Sequence, residues 1–491
     1  MVLISRRKQE LAEEIVRSFS KSSEQSLHQE IAVSVGQSHV NSAIGEDGTQ
    51  FIESKRWKNW IVNIKHAAMN RFLSLGVPLK GDEYWKYTDP SMLTPLLLKK
   101  KDAALALQKD DSNEFHSGCG IFEPFSDVDA FVVTFVDGHI RYDLSNLGSD
   151  DSLEIVPLGR CMECDSGDDS DNWISNLLGQ MESTSQEFIQ KPFAALNTFS
   201  FQDGIAIRVQ GKSSKPLHIR SLGLSQEMFY SRVLILMEPE SSLTVLETTG
   251  EGYRSNSVME ICLREKSNLL HIRSQMCSAD SLAYSAIFAD VFEDANFESF
   301  TLTAGGSVVR NELFVRILGA HSKTNIVGGG LANDGDHIDN TVFVQHKASD
   351  CSSRQVFKMV MNGCSKGVFQ GKILVDQKAQ RTDGYQISRA LLLDEQSEFR
   401  AKPELEIYAD DVKCSHGSTT SSLDAEAMFY LCSRGISESE ASALLVEAFV
   451  ADCVAEIADS GYEEAVFGVV REWMKRRFSL LNGKYASLPT G

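Results

Sequence analysis

No apolar stretch in these 491 residues approaches the roughly 18 needed to cross a bilayer. The best runs, such as Val233-Leu234-Ile235-Leu236-Met237, are the length of a strand. A leader pattern is lacking too. Arg6 and Arg7 are followed at once by Glu10, Glu13 and Glu14, with no apolar h-region or small-residue cleavage site. Neither a secretory signal nor a transit peptide is expected. Cysteine occurs ten times but never at paired, scaffold-like spacings, in a chain far too long to need staples. The expectation is reduced thiols and a cytoplasmic location. Positive charge is also short: 48 basic residues stand against 68 acidic ones, a net charge of −20. Such a surface repels phosphate backbones, and no compact basic patch reverses it locally, so neither nucleic acid nor membrane is expected as a partner.

Catalytic motifs are missing as well. Gly371-Lys372 lacks the upstream glycine of a phosphate loop, since Lys366 stands there, and no Ser or Thr follows. Val327-Gly328-Gly329-Gly330 fails to continue as a dinucleotide fingerprint because Asn333 takes the third glycine's place, and it reads as a turn. Cys161-Met162-Glu163-Cys164 is a lone C-x-x-C without a second ligand pair, and Asp165, Asp168, Asp169 and Asp171 after it would raise its thiol pKa values. That acidic run has no glycine at the sixth position of a calcium loop. There is no G-x-S-x-G and no H-E-x-x-H. A β-solenoid polysaccharide lyase or hydrolase, built on paired acids, is the remaining enzymatic alternative.

Three textures are present instead. Residues 1–123 read mostly helical, with patterns over Arg7–Phe19 and Ser54–Leu75 and a Gly/Ser/Asn-rich linker over Val33–Thr49. In the second helix Trp57, Trp60, Ile61, Ile64, Ala68 and Phe72 recur at helical spacing, and Gly76 and Pro78 stop it. Residues 124–420 change period to short alternating or apolar runs split by turn residues. Phe131–Val136, Ile205–Val209, Leu243–Glu247, Phe297–Leu302 and Thr341–Gln345 are examples, with one helical interruption near Trp173–Ile189. No fixed period is visible, so a sandwich, a barrel and a solenoid all remain open. Residues 421–491 return to helix. Asp424–Ser433 ends at Gly435, Ser437–Glu440 is a capping box, and Glu463–Phe478 carries Phe467, Val470, Trp473 and Met474 on a stripe. In the helix opened by that box, Ala441, Leu444, Leu445, Ala448 and Phe449 share a face.

The chemistry concentrates in Cys414 and His416. The preceding Glu404–Ala409 alternates as a strand, and residues two apart on a strand share one face at about 7 Å between Cα atoms. A thiolate and an imidazole so placed are a soft donor pair suited to zinc or iron–sulfur species. Two ligands do not close a site, so further ones must come from elsewhere in the chain or from a partner. Simple parity puts Leu405, Ile407 and Ala409 inward and the pair outward, unless the turn at Asp410-Asp411 resets it. On residue chemistry alone, the pair reads equally as a buried structural cysteine beside a hydrogen-bonded histidine.

Lys402-Pro403-Glu404-Leu405-Glu406-Ile407-Tyr408-Ala409-Asp410-Asp411-Val412-Lys413-Cys414-Ser415-His416-Gly417 resembles a signature of the SufB/SufD family of the SUF iron–sulfur assembly machinery, on its SufD branch. His337-Ile338-Asp339-Asn340, His346, Cys351-Ser352-Ser353, Val368–Ile373, Ala379–Asp383, Leu391–Leu393 and Phe429–Leu431 agree in order. Near the N-terminus Trp85-Lys86-Tyr87-Thr88 is similar to a family segment. The match is strong over about 335–450. Lys358–Met361 and Ser418 depart from the usual pattern, and the first 50 residues and the Cys161 region carry no family signal. SufB-type chains have an acidic His-Glu segment where this chain has Cys-Ser-His-Gly, which favours the SufD branch.

The resemblance implies a mainly β fold, a right-handed parallel β-helix core flanked by N-terminal and C-terminal helical domains. It implies a non-enzymatic scaffold that pairs with a SufB-like paralogue through the β-helix ends. Cys414 and His416 would then be half of a shared site for a transient iron–sulfur species, with no stably bound cofactor. It also implies a SufC-like ABC ATPase docked on the C-terminal helices, which would make Ala441, Leu444, Leu445, Ala448, Phe449 and Trp473 partner-binding. A homodimer of the isolated chain and a SufB-like carrier holding its own cluster are the alternatives in the same family.

Overall fold

The computed structural model describes residues 6–19, 57–93, 122–163, 172–184, 189–224, 227–250, 252–457 and 459–481. Its centre is a parallel β-solenoid of about 8 turns. From Asp203–Val209 onward, successive strands alternate between two sheets. One sheet runs, from the C-terminal end, through Val412–Ser421, Thr382–Leu392, Ser352–Met361, Lys323–Ala332, Asn296–Ala304, Asn268–Met276, Ser242–Thr249, Leu217–Leu222 and Phe131–Val136 to the short His139–Ile140. The other runs through Glu398–Ile407, Lys366–Val375, His337–His346, Val308–Ile317, Leu282–Val291, Arg254–Leu263, Phe229–Met237 and Asp203–Val209 to Leu153–Pro157. Both sheets are covered over most of their length, so strands such as Leu282–Val291 and Lys323–Ala332 are nearly continuously buried rather than alternating between buried and exposed.

Between the sheets the coils stack in register. Ile207, Ile235, Ile261, Ala289, Val315, Val344 and Ile373 stand one above the next, each opposite its neighbour in the ladder. Every one of these side chains is buried, and each aliphatic of this size contributes about 1.5–3 kcal/mol by leaving water. The coil length drifts: Val308 faces Leu282 from 26 residues on, whereas Glu398 faces Lys366 from 32 residues on. That drift is why no fixed period is visible in the sequence. One corner is nonetheless constant. Glu240, Lys266, Asp294, His321, Asp350 and Arg381 all have φ between 56° and 62°, and each donates its N–H to a carbonyl of the next coil, as Asp294 does to Ala320. A left-handed conformation normally announces itself as glycine; here it is filled by charged and polar residues and leaves no trace in composition.

Helices cover the outside of both sheets. Asn59–Leu75, Pro192–Ser200 and shorter helices at Leu158–Met162, Asn172–Leu177 and Gln180–Thr184 join the helix over 6–19 on the second sheet, where Ile61, Phe72, Phe193 and Phe199 pack with Leu234, Phe288 and Phe314. The helix expected over Trp173–Ile189 is two short ones, because Gly179 at φ 75° breaks it, and Pro192–Ser200 lies beyond it. The linker over 33–49 lies outside the described residues. On the first sheet sit Glu438–Val454 and Glu463–Leu481, with Val446, Val450 and Trp473 packed on Ile272, Phe300 and Val327, and Ala425–Ser433 packs against Glu438–Val454. Their predicted starts hold: Asp424 caps the first through the N–H groups of Glu426 and Ala427, and Ser437 with Glu440 forms the capping box of the second.

The N-terminal layer is also pinned by buried charge. Arg310 bonds Asp339 at 2.5 Å and Glu312 at 2.7 Å, and its guanidinium lies 4.1 Å from the Trp85 ring. Thr88 bonds both Asp339 and His337. Two segments that the sequence offers about 250 residues apart, Trp85–Thr88 and His337–Asn340, are therefore one contact.

Candidate functional site

The solenoid ends in an open coil. Glu398–Ile407 and Val412–Ser421 each pair with the preceding coil on one side, and among the described residues no strand pairs with the other side of either. Such an edge offers a row of free N–H and C=O groups. Pro403 removes one donor from the first of these strands, as suits an edge position; Val412–Ser421 has no proline. Exposure rises sharply here: Ile407 and Tyr408 are 39% and 61% exposed, and most of Val412–Ser421 is open to solvent.

Cys414 and His416 lie on this last strand, opposite Gly384 and Gln386 of the coil below. They face the interior, not outward. The Cys414 side chain packs with Leu405 and Val412 on the cluster of Ile373, Val375 and Ala409, and a Cβ added at Gly384 would meet both Cys414 Sγ and Ile373. Strict alternation from Leu405 predicted the reverse. The turn at Tyr408–Asp411, with Ala409 buried in it, shifts the parity by one residue. The pair thus sits at the mouth of the solenoid: Cys414 is half-buried, and His416 is exposed because, among the described residues, no coil lies beyond it.

Burial pushes the Cys414 thiol above its ordinary pKa, and the nearby Asp383 carboxylate pushes the same way. The raised pKa favours the protonated thiol, and binding a metal would require that proton to leave. Among the described residues no cluster of three or more His, Cys, Asp and Glu is arranged to hold a metal ion, so none of them completes the pair. Cys161 is buried; Cys164 lies outside the described residues.

The six residues expected to meet a partner divide. Leu444 and Ala448 are exposed, Leu445 and Phe449 half-buried, and Ala441 and Trp473 buried, Trp473 within the core that joins the helices to the first sheet. The face that docks on the solenoid is instead Val446, Val450, Cys453 and Val454. Sequence periodicity did not single out Phe429 and Tyr430, which are 76% and 57% exposed on Ala425–Ser433, a helix with no buried residue.

Sequence reasoning also missed what lies beneath the Cys414/His416 pair. Gln355 and Gln386 occupy the positions directly below His416 in the two preceding coils, and both are buried. His346, buried at the corner, shares a 2.8 Å hydrogen bond with Ser353. Gln355 Nε2 and Oε1, Gln386 Oε1 and His346 Nδ1 have no hydrogen-bond partner. The motif containing His346 was visible, but a lone Gln in a strand carries no signal until register places it.

Residues 220–449 match the family described as "SUF system FeS cluster assembly, SufBD core domain". A Synechocystis protein named as an iron–sulfur cluster assembly SufBD family protein is 27% identical over 424 residues, covering 81% of this chain and 87% of that protein. The Escherichia coli iron–sulfur cluster assembly protein SufD is 36% identical over 174 residues, 35% of this chain and 41% of that protein. The Arabidopsis thaliana chloroplastic protein ABCI7 is 26% identical over 411 residues, covering 80% of this chain and 81% of the relative. Among the described residues no helix is long and apolar enough to cross a membrane.

Proposed function

We propose that this chain, a member of the SufBD family of iron–sulfur cluster assembly proteins, is a non-catalytic scaffold subunit whose open terminal coil meets a SufB-like paralogue. The observation that carries this reading is the coincidence of three features on one strand: an unpaired edge, a solvent-open mouth, and a soft Cys414/His416 donor pair too small to close a site alone. Edge-to-edge pairing with a partner's last coil would satisfy the free backbone groups and bring the missing ligands. The iron–sulfur species is then cargo, held transiently between subunits, and no cofactor resides in this chain. The C-terminal helices offer a second surface, Phe429, Tyr430, Leu444 and Ala448, for a SufC-like ABC ATPase. Ala441 and Trp473 support that surface from behind.

Co-expression with SufB-like and SufC-like proteins is expected to give one stable complex; this chain purifying consistently alone would overturn the scaffold reading. Within the complex, Cys414→Ala and His416→Ala should leave assembly intact and cut bound iron and sulfide. Unchanged content in both variants would remove the pair from the site.

A further inference from the structure

A histidine that offers one ring nitrogen to a metal carries its proton on the other, and that N–H is almost always held by an acceptor which fixes the tautomer and the ring's direction. His416 has no such acceptor engaged among the described residues, yet one stands directly beneath it. Gln386 is its register partner in the adjoining coil, it is completely buried, and its Oε1 has no hydrogen-bond partner. A buried carbonyl oxygen left unpaired is costly, so such a group calls for a partner.

The position is built for this side chain. Gln386 reaches across the lumen to Gly371 of the opposite sheet, where its Nε2 lies 3.5 Å from the Gly371 carbonyl oxygen. A Cβ added at Gly371 would come within 2.5 Å of Gln386 Oε1. Gly371 has no positive φ, so what a side chain there would meet is the Gln386 amide, which would have to move aside. Below it Gln355 continues the column with both amide atoms unpaired, so no neighbour in the stack takes up Gln386 Oε1.

We propose that Gln386 is the positioning residue of the Cys414/His416 pair: its Oε1 accepts the ring N–H of His416 and turns the other ring nitrogen toward the iron–sulfur cargo. Gln386 touches no cargo itself. It acts through His416, and Gly371 acts through Gln386 by leaving it room. The proposal rests on the scaffold reading for the cargo, but the hydrogen bond is a property of this chain alone.

Long-range proton–nitrogen NMR spectra of the full chain, labelled with nitrogen-15 in histidine, read the His416 tautomer without any metal. Wild type should show a single tautomer. Gln386→Leu, which keeps volume but removes the acceptor, and Gly371→Ala, which keeps the acceptor but displaces it, should both show a mixture. A mixed tautomer in wild type, or an unchanged single tautomer in both variants, overturns the proposal. Thermal melting checks that both variants fold. Co(II) titration then adds a second readout: Gln386→Leu should bind roughly tenfold more weakly and Gln386→Glu should recover most of that loss. Equal, measurable Co(II) affinity in wild type and Gln386→Leu also counts as refutation. Where two ligands alone hold no measurable Co(II), the tautomer spectra decide. The hydrogen bond from His416 to Gln386 would still stand or fall on the tautomer spectra, which are recorded with no metal present.

Discussion

The coil around Ser352–Met361 and the last coil, Glu398–Ser421, are built from the same kind of strand and live in opposite surroundings. The first is paired on both edges, with Phe357 and Phe369 packed at 4.7 Å inside and Val356 and Val360 covered by helices outside. The last is paired on one edge only and largely open. One column crosses both: Gln355 and Gln386 are buried and His416 is exposed. The same lumen position is therefore an enclosed amide in two coils and a solvent-open imidazole in the last. What opens a stacking position to solvent is that, among the described residues, no further coil follows.

Several measurements sharpen or break this contrast. The largest effect is expected from Phe369→Ala, which empties the middle of the lumen and should cost about 3–5 kcal/mol in chemical denaturation. Arg310→Ala should follow closely, at roughly 3–5 kcal/mol, because it strands the buried carboxylates of Glu312 and Asp339 without their cation. A loss below about 1 kcal/mol would show that the network is hydrated and the N-terminal layer loosely held.

The next effect depends on pH. Burial pushes the imidazole of His346 down to about 4, while in the unfolded chain it titrates near 6.5. The unfolded state thus binds the extra proton first. The stability that neutral His346 contributes is present above about pH 6.5 and lost as pH falls toward 4, by roughly 2–3 kcal/mol. His346→Gln should flatten the stability profile across that window; an unaltered slope would mean that His346 is solvated and not enclosed. The smallest effect belongs to the open coil, where Ile407→Ala should cost less than about 1 kcal/mol. A penalty as large as that of Phe369→Ala would mean that the terminal coil is closed and would remove the contrast altogether.

Much of the fold was legible because it is local. Phe131–Val136 is a strand over the span its apolar run predicts, and Ser437 and Glu440 cap their helix as a two-residue signal should. The solenoid was not legible from period, since coil length drifts and its constant corner carries Glu, Lys, Asp, His and Arg where glycine would have drawn notice. At the site, the identities of Cys414 and His416 were plain, but their direction was inverted by one residue in the Tyr408–Asp411 turn.

By itself, then, the sequence determined which segments become strands and helices, where the helices begin, and which two side chains bring soft-ligand chemistry. These are short-range properties, carried by spacing, capping and donor type within a few residues. Only the tertiary structure decided that the strands coil into one stack, that Trp85–Thr88 closes on His337 and Asp339, and that Cys414 and His416 face the lumen at its open end above Gln386. Those outcomes depend on register between strands about thirty residues apart, and register is set by the summed packing of the whole column, which no local window contains.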